Sequence, residues 1–306
     1  MKLQNFLTIE QLTVEDIEEI MVLAAKLKKE RQMGKLHHIL AGKALAMIFE
    51  KPSTRTRVSF DVGMYQLGGY AVNIAAQEVQ LGKRESIQDV ARTLSRFVDG
   101  IMVRTFSHKV AEDIAKYSTV PVINGLTDKA HPCQALADIF TIKEKLGKLA
   151  GVKIAYIGDG NNVCNSLLLA AARTQMKMSV ATPKGFEPDK KIIKAAQEKI
   201  EVKLVADPFI AIKEADVVYT DVWTSMGQEK EAKKRKKIFT KYQINSKLLK
   251  NAKEDILVMH CLPAHRDEEI TGEVLDSKNS IVFDQAENRL HVQKAILALL
   301  MGTDND

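Results

Sequence analysis

The chain has 306 residues, of which 45% are hydrophobic and 27% charged, with Lys+Arg 45 against Asp+Glu 39 for a net charge of +6. At roughly 150 residues per domain this suggests two domains that bury a full core, and it excludes collagen-like, disordered and disulfide-framework classes. The mild positive surplus suits an anionic substrate and does not require nucleic acid.

Thr13 precedes Val14, Ile17, Met21, Ala24 and Leu27, a helical spacing, with Thr13 and Asp16 placed as a capping box. Ala44 to Phe49 reads as a buried strand, Ser53 to Gln66 as a helix, and Tyr70 to Ile74 as a strand. A helix from Ser86 to Phe97, a strand from Gly100 to Val103, a helix from His108 to Tyr117, a strand from Val120 to Ile123 and a helix from His131 to Leu146 follow. Gly147 to Gly151 reads as a boundary, giving domains over 1–147 and 148–306. The alternation then restarts. Strands are expected at Val152–Ile157, Met178–Ala181, Val202–Val205, Val217–Thr220, Ile256–Met259 and Ile281–Phe283. Helices are expected at Asn161–Thr174, Pro188–Lys199, Pro208–Ala215 and Ser246–Asn251. Gln285 to Met301 is a closing helix. Solid apolar strands of this kind are buried on both faces, so the expected fold class is α/β, with two doubly wound parallel-sheet domains.

The longest unbroken apolar run, Ala295 to Met301, is far short of the about 20 residues that span a bilayer, so no membrane helix is expected. The first residues, MKLQNFLTIE, carry no apolar stretch of signal-peptide length, which points to a cytoplasmic protein. Cys133, Cys164 and Cys261 are sparse and form no CxxC, as in a reducing compartment. The Lys-dense stretch 227–241, GQEKEAKKRKKIFTK, reads better as a solvated face than as a nucleic-acid patch.

In open α/β sheets, ligands bind beyond the carboxyl ends of the strands. After the first strand, Ser53-Thr54-Arg55-Thr56-Arg57 opens a helix. Its dipole, amides and hydroxyls attract an anion, and Arg55 can clamp a phosphate through two hydrogen bonds. No Walker motif is present. Arg57 points elsewhere on the helix, and a surface role for it is as good a reading. Arg104 follows the next strand, where a lone Arg is more often structural. His131-Pro132-Cys133-Gln134 opens a helix, leaving His131 and Gln134 at its N-terminus. Gly158-Asp159-Gly160 follows a strand, but Val163 stands where a dinucleotide fingerprint has its third glycine, and Ala181-Thr182-Pro183 offers no acid for a ribose. Asn161 and Asn162 offer amide contacts there instead. Asp221 and Ser225 could bind an ammonium group beyond a strand end, or equally serve a turn. His260-Cys261-Leu262-Pro263 ends another strand. With His265 it matches no zinc spacing, so no metal is expected. Arg289 in the closing helix defaults to the surface.

Taken together and in this order, Ser53-Thr-Arg-Thr-Arg57, His131-Pro-x-Gln134, Asp221-x-x-x-Ser-Met-Gly227 and His260-Cys-Leu-Pro263 resemble the aspartate/ornithine carbamoyltransferase family over almost the whole chain. The first two motifs are shared across the family, and the last two resemble its ornithine branch. The resemblance implies that Ser53, Thr54, Arg55 and Thr56 hold the phosphate of carbamoyl phosphate, and that Arg104, His131 and Gln134 hold its carbamoyl group. Gln80 matches a position reaching into a neighbouring subunit's site, and Arg289 a carbamoyl phosphate contact. Asn162, Asp221, Ser225 and Met226 match ornithine-binding positions, and Cys261 and Leu262 positions near the reacting amine, beside the carbamoyl group. It further implies trimers, no metal or organic cofactor, and a closing helix, about 285–306, that returns to the first domain. The partners implied are carbamoyl phosphate, L-ornithine and other copies of the chain. Arg55, Arg104, His131 and Cys261 are the expected catalytic set. A different amine acceptor, putrescine or an N-acylated ornithine, is the alternative.

Overall fold

The computed structural model describes residues 3–75, 78 and 84–302. Gln80 therefore lies outside the described residues. The chain forms two compact units, residues 1–137 with 287–306, and residues 138–286. The chain passes between them inside two helices, Pro132–Leu146 and Val282–Met301.

The first unit holds a four-stranded parallel sheet in the order β2-β1-β3-β4, with β1 Ala44–Phe49, β2 Tyr70–Ala75, β3 Gly100–Arg104 and β4 Val122–Leu126. The helix Thr54–Gln66 carries β1 outward to β2, and the helix His108–Tyr117 carries β3 to β4 on the other side. The connections diverge between β1 and β3, which is where an open parallel sheet leaves a crevice. Phe49 and Arg104 pair in register, so the residues that follow β1 and those that end β3 emerge together. The helix Val14–Gln32 starts as its sequence specifies, with Thr13 and Asp16 satisfying each other's backbone amides. β2 departs from the doubly buried reading. It is an edge strand with Tyr70 and Val72 exposed, because among the described residues only β1 pairs with it.

The second unit holds five parallel strands in the order β7-β6-β5-β8-β9, with β5 Lys153–Ile157, β6 Lys177–Ala181, β7 Val202–Val205, β8 Val217–Thr220 and β9 Leu257–His260. Here the connections diverge between β5 and β8. The loops after those strands, starting at Gly158 and Asp221, thus flank this sheet's crevice. The apolar run Ile281–Phe283 is not a strand. Ser280 makes a single bridge to Val258, and the backbone then turns into the helix Val282–Met301. A short apolar run does not distinguish a strand from the start of a buried helix.

Lys294 on that closing helix is fully buried, with its Nζ 3.4 Å from the Leu27 carbonyl that accepts from it. Burial, helped by the charge of Arg31, lowers its pKa to about 8 from an ordinary 10.5. The folded state therefore pays to hold this proton at every pH below about 8, and the cost fades as pH rises towards 10.5. Such a shift corresponds to about 3 kcal/mol. We expect Lys294→Met to raise stability by about 2 kcal/mol at pH 7 and by much less at pH 10, as read by denaturant melts at the two pH values.

Candidate active site

In the first unit, Ser53 caps the helix Thr54–Gln66, its hydroxyl accepting the Thr56 amide at 3.2 Å. Thr56 faces inward, fully buried, whereas Arg57 is exposed. The Thr56 hydroxyl accepts from Arg104 Nη1 and from Arg289 Nη2, each at 3.3 Å. Arg289 Nη1 also donates to Gln134 Oε1 at 2.6 Å. Arg104, His131, Gln134 and Arg289 are all buried, and Arg55 is half-buried. Arg289 is thus no surface residue. The His131 pKa lies well below its ordinary value, first through burial and then through the charges of Arg289, Arg104 and Arg55. At neutral pH this imidazole is a neutral hydrogen-bonding group among cationic ones.

The turn that presents Ser53 is itself tied down by residues the motifs do not contain. Glu50 receives the Thr105 hydroxyl, and Lys51, buried under the Phe106 ring, pairs with Asp128. These links join the loops after β1, β3 and β4. Cys133 is not a nucleophile here, since burial raises its thiol pKa to about 12.

In the second unit, the Asn161 side chain caps the helix Asn162–Arg173, accepting from Val163 and Cys164 amides. Its Nδ2 donates to Asp221 Oδ2 at 2.7 Å. The Cys261 thiol donates to Asp221 Oδ1 at 3.0 Å. Asp221, the first residue after β8, is therefore held between the loop after β5 and the turn after β9. The amide that touches Asp221 is that of Asn161, while Asn162 stands half-buried beside it. Gly160, read from sequence as half of a dinucleotide fingerprint, has another cause. A Cβ there would lie 2.3 Å from Pro188 N, so the chain's own backbone fills the place.

The turn after β9 is fixed by His260. The Leu262 N–H donates to His260 Nδ1 at 2.8 Å, so the ring proton resides on Nε2, which donates to buried Glu269 at 3.0 Å. Both ring nitrogens are committed, and a metal could bind this histidine only by breaking one of those bonds. Leu262 adopts φ +57, the left-handed region, directly after Cys261. The loop from Asp221 to Gly227 has its own anchor in Arg235. This residue lies buried in the Lys-rich helix Ala232–Phe239, donates from Nε to the Trp223 carbonyl at 2.5 Å, and pairs with Asp159. Its guanidinium is stacked by Phe186 and Phe239 at 4.8 and 5.4 Å. Ser225 is half-buried, and Met226 is 43% exposed. Sequence reasoning missed Asp159, Arg235 and Glu269. The signal available was the single Arg among the lysines of 227–241.

Chemically, the first set offers buried cations and neutral donors for a small phosphorylated carbonyl compound. The second offers a carboxylate, an amide and a thiol for an amine. Comparison with known proteins agrees with that division. Residues 4–144 match the aspartate/ornithine carbamoyltransferase model for the carbamoyl-P binding domain, and residues 150–300 match its Asp/Orn binding domain. The chain belongs to the aspartate/ornithine carbamoyltransferase family. A relative from Thermococcus kodakarensis named ornithine carbamoyltransferase is 56% identical over 304 residues, 98% of this chain and 96% of that one. The solved ornithine carbamoyltransferase of Pyrococcus furiosus superposes with a TM-score of 0.95 at 55% identity, covering 97% of each chain. That of Thermus thermophilus gives 0.91 at 44% identity, covering 98% of this chain and all of the other. The resemblance read from the four motifs and the two-domain parallel α/β fold are both borne out. No helix among the described residues is long and apolar enough to cross a membrane.

Proposed function

We infer that this carbamoyltransferase moves the carbamoyl group of carbamoyl phosphate to the δ-amine of L-ornithine, giving L-citrulline and phosphate. The observation that carries the reading is the buried cluster in which Thr56 and Gln134 join Arg104 and Arg289 beside His131. Ser53, Thr54, Arg55 and Thr56 take the phosphate at a helix N-terminus. Arg104, His131 and Gln134 take the carbamoyl group, with Arg289 bracing them. The amine nitrogen bonds to the carbamoyl carbon, the bond from that carbon to the bridging oxygen breaks, and the amine proton leaves, ending on phosphate. Negative charge collects on the carbonyl oxygen on the way, and Arg55, Arg104 and neutral His131 are the groups that stabilise it.

An alkylammonium has a pKa near 10, so about one molecule in a thousand is nucleophilic at pH 7, a handicap of roughly 4 kcal/mol. Asn162, Asp221, Ser225 and Met226 orient the amino acid, and the Cys261–Asp221 pair, with Leu262, receives the amine. Desolvation at that site favours its neutral form. We also infer a cytoplasmic homotrimer serving arginine biosynthesis. The exposed Val58, Tyr65, Tyr70 and Val72 on the helix Thr54–Gln66 and the neighbouring edge strand β2 are suited to covering by another copy. Formation of carbamoylated product across a panel of ornithine, aspartate, putrescine and N-acetylornithine tests the reaction, with citrulline the product from ornithine. Product is expected with ornithine; product with another amine and none with ornithine overturns the reading.

A further inference from the structure

Two residues in the second unit have no part in the reaction above, yet they hold one end of the His260–Pro263 turn. Asp138 follows Gln134 by one helical turn, and Gln285 precedes Arg289 by one. Asp138 is 0% and Gln285 1% exposed. Gln285 Nε2 donates to Asp138 Oδ1 at 2.7 Å and to the Tyr219 hydroxyl at 3.1 Å. The Tyr219 hydroxyl in turn donates to Asp138 Oδ2 at 3.1 Å. At its other end, Gln285 Oε1 accepts the backbone N–H of His260 at 3.0 Å.

A side-chain amide can present either end, and what decides is its surroundings. Asp138 accepts through both of its oxygens, from Gln285 and from the Tyr219 hydroxyl, so the NH2 of Gln285 faces it. The carbonyl end is then left for His260. That backbone N–H is where the turn begins. One residue on is Cys261, bonded to Asp221, and then Leu262, whose N–H returns to the His260 ring. We propose that Asp138 and Gln285 are positioning residues for the amine acceptor, orienting through the His260 amide the turn that carries Cys261 and Leu262. This rests on the reading of that turn as part of the amine's site.

Asp138→Asn keeps the shape and replaces an acceptor with a donor. The asparagine can accept from only one of Gln285 and Tyr219, so Gln285 is held by fewer bonds and holds the His260 N–H less firmly. In the double variant D138N/Q285E, the new carboxylate accepts from both His260 N–H and the Asn amide, with the net charge unchanged. Hydrogen exchange of the peptide spanning Leu257–Cys261, measured without substrate, is expected to quicken about tenfold or more at His260 in D138N. It should return towards the parent rate in the double variant. In kinetics, KM for ornithine should rise about tenfold in D138N, with KM for carbamoyl phosphate unmoved. Parental exchange in D138N, no rescue in the double variant, or an equal rise in both KM values overturns the proposal. If D138N does not fold, Tyr219→Phe removes one hydrogen bond from each residue and keeps the charge; faster exchange at His260 supports the proposal and parental exchange overturns it. A parent chain that makes no citrulline counts against the functional reading alone, because exchange is read without turnover.

Discussion

Arg104→Met is expected to lower kcat/KM by about a thousandfold while leaving the unliganded protein no less stable. The two effects have one cause. Arg104 and Arg289 are buried and share the Thr56 hydroxyl at 3.3 Å each, with Arg55 close enough to help depress the His131 pKa. Like charges held in a poorly hydrated place oppose folding, and a methionine of similar length relieves that opposition. The same charges are what an anionic substrate needs. Inorganic phosphate should therefore raise the melting temperature of the parent more than that of the variant, since a ligand stabilises in proportion to its affinity for the folded state. Steady-state kinetics and melts with and without phosphate measure all of this. A loss of activity under tenfold, or a strong fall in melting temperature without phosphate, would show that Arg104 is chiefly structural.

Arg235→Met is expected to cost about 3 kcal/mol at pH 8 and much less at pH 5.5. With Arg235 in place, burial already raises the Asp159 pKa to about 6 from 3.8, outweighing the pull of the guanidinium. An acid whose folded pKa is raised in this way loses stability as pH climbs from about 4 to about 6. Removing Arg235 moves the folded pKa higher, so the decline continues above pH 6 in the variant after it has levelled off in the parent. At pH 5.5 the carboxyl is largely protonated and the loss is small. The loop from Asp221 to Gly227 also loses its tie at the Trp223 carbonyl, so KM for the amine should rise without a matching rise for the carbamoyl donor. Urea unfolding at the two pH values and initial rates against each substrate check both parts. A destabilisation that does not depend on pH would remove Asp159 from the explanation.

Much of this was legible in the chain, for identifiable reasons. Strands of parallel sheets write themselves as apolar runs, and among the described residues nine of the ten expected runs are strands, seven of them largely buried. The tenth run, Ile281–Phe283, failed because burial alone does not select strand over helix. Capping left its mark at Thr13, where one side chain satisfies a specific amide. The residues of the candidate motifs could be singled out because each motif lies at or just beyond the carboxyl end of a strand. Arg289 was not legible from its own surroundings, since a lone charged residue in a long helix gives no sign of being turned inward. The same holds for Asp159, Arg235, Glu269, Asp138 and Gln285. Each works by pairing with a residue distant in sequence, and a single chain does not reveal such pairs before it is folded.

The proposed reaction needs the cationic cluster around Thr56 to grip the phosphorylated donor and the residues around Asp221 to present the amino acid. A crystal structure with a bisubstrate phosphonate, in which a phosphonoacetyl group is joined to the δ-nitrogen of ornithine, tests it most directly. The phosphonate is expected on the first turn of the helix Thr54–Gln66 within hydrogen-bond reach of Arg55, its carbonyl oxygen on Arg104 and His131, and the amino-acid end on Asp221. A phosphonate bound away from Arg55 and His131, or an amino-acid end with no contact to Asp221, would contradict it.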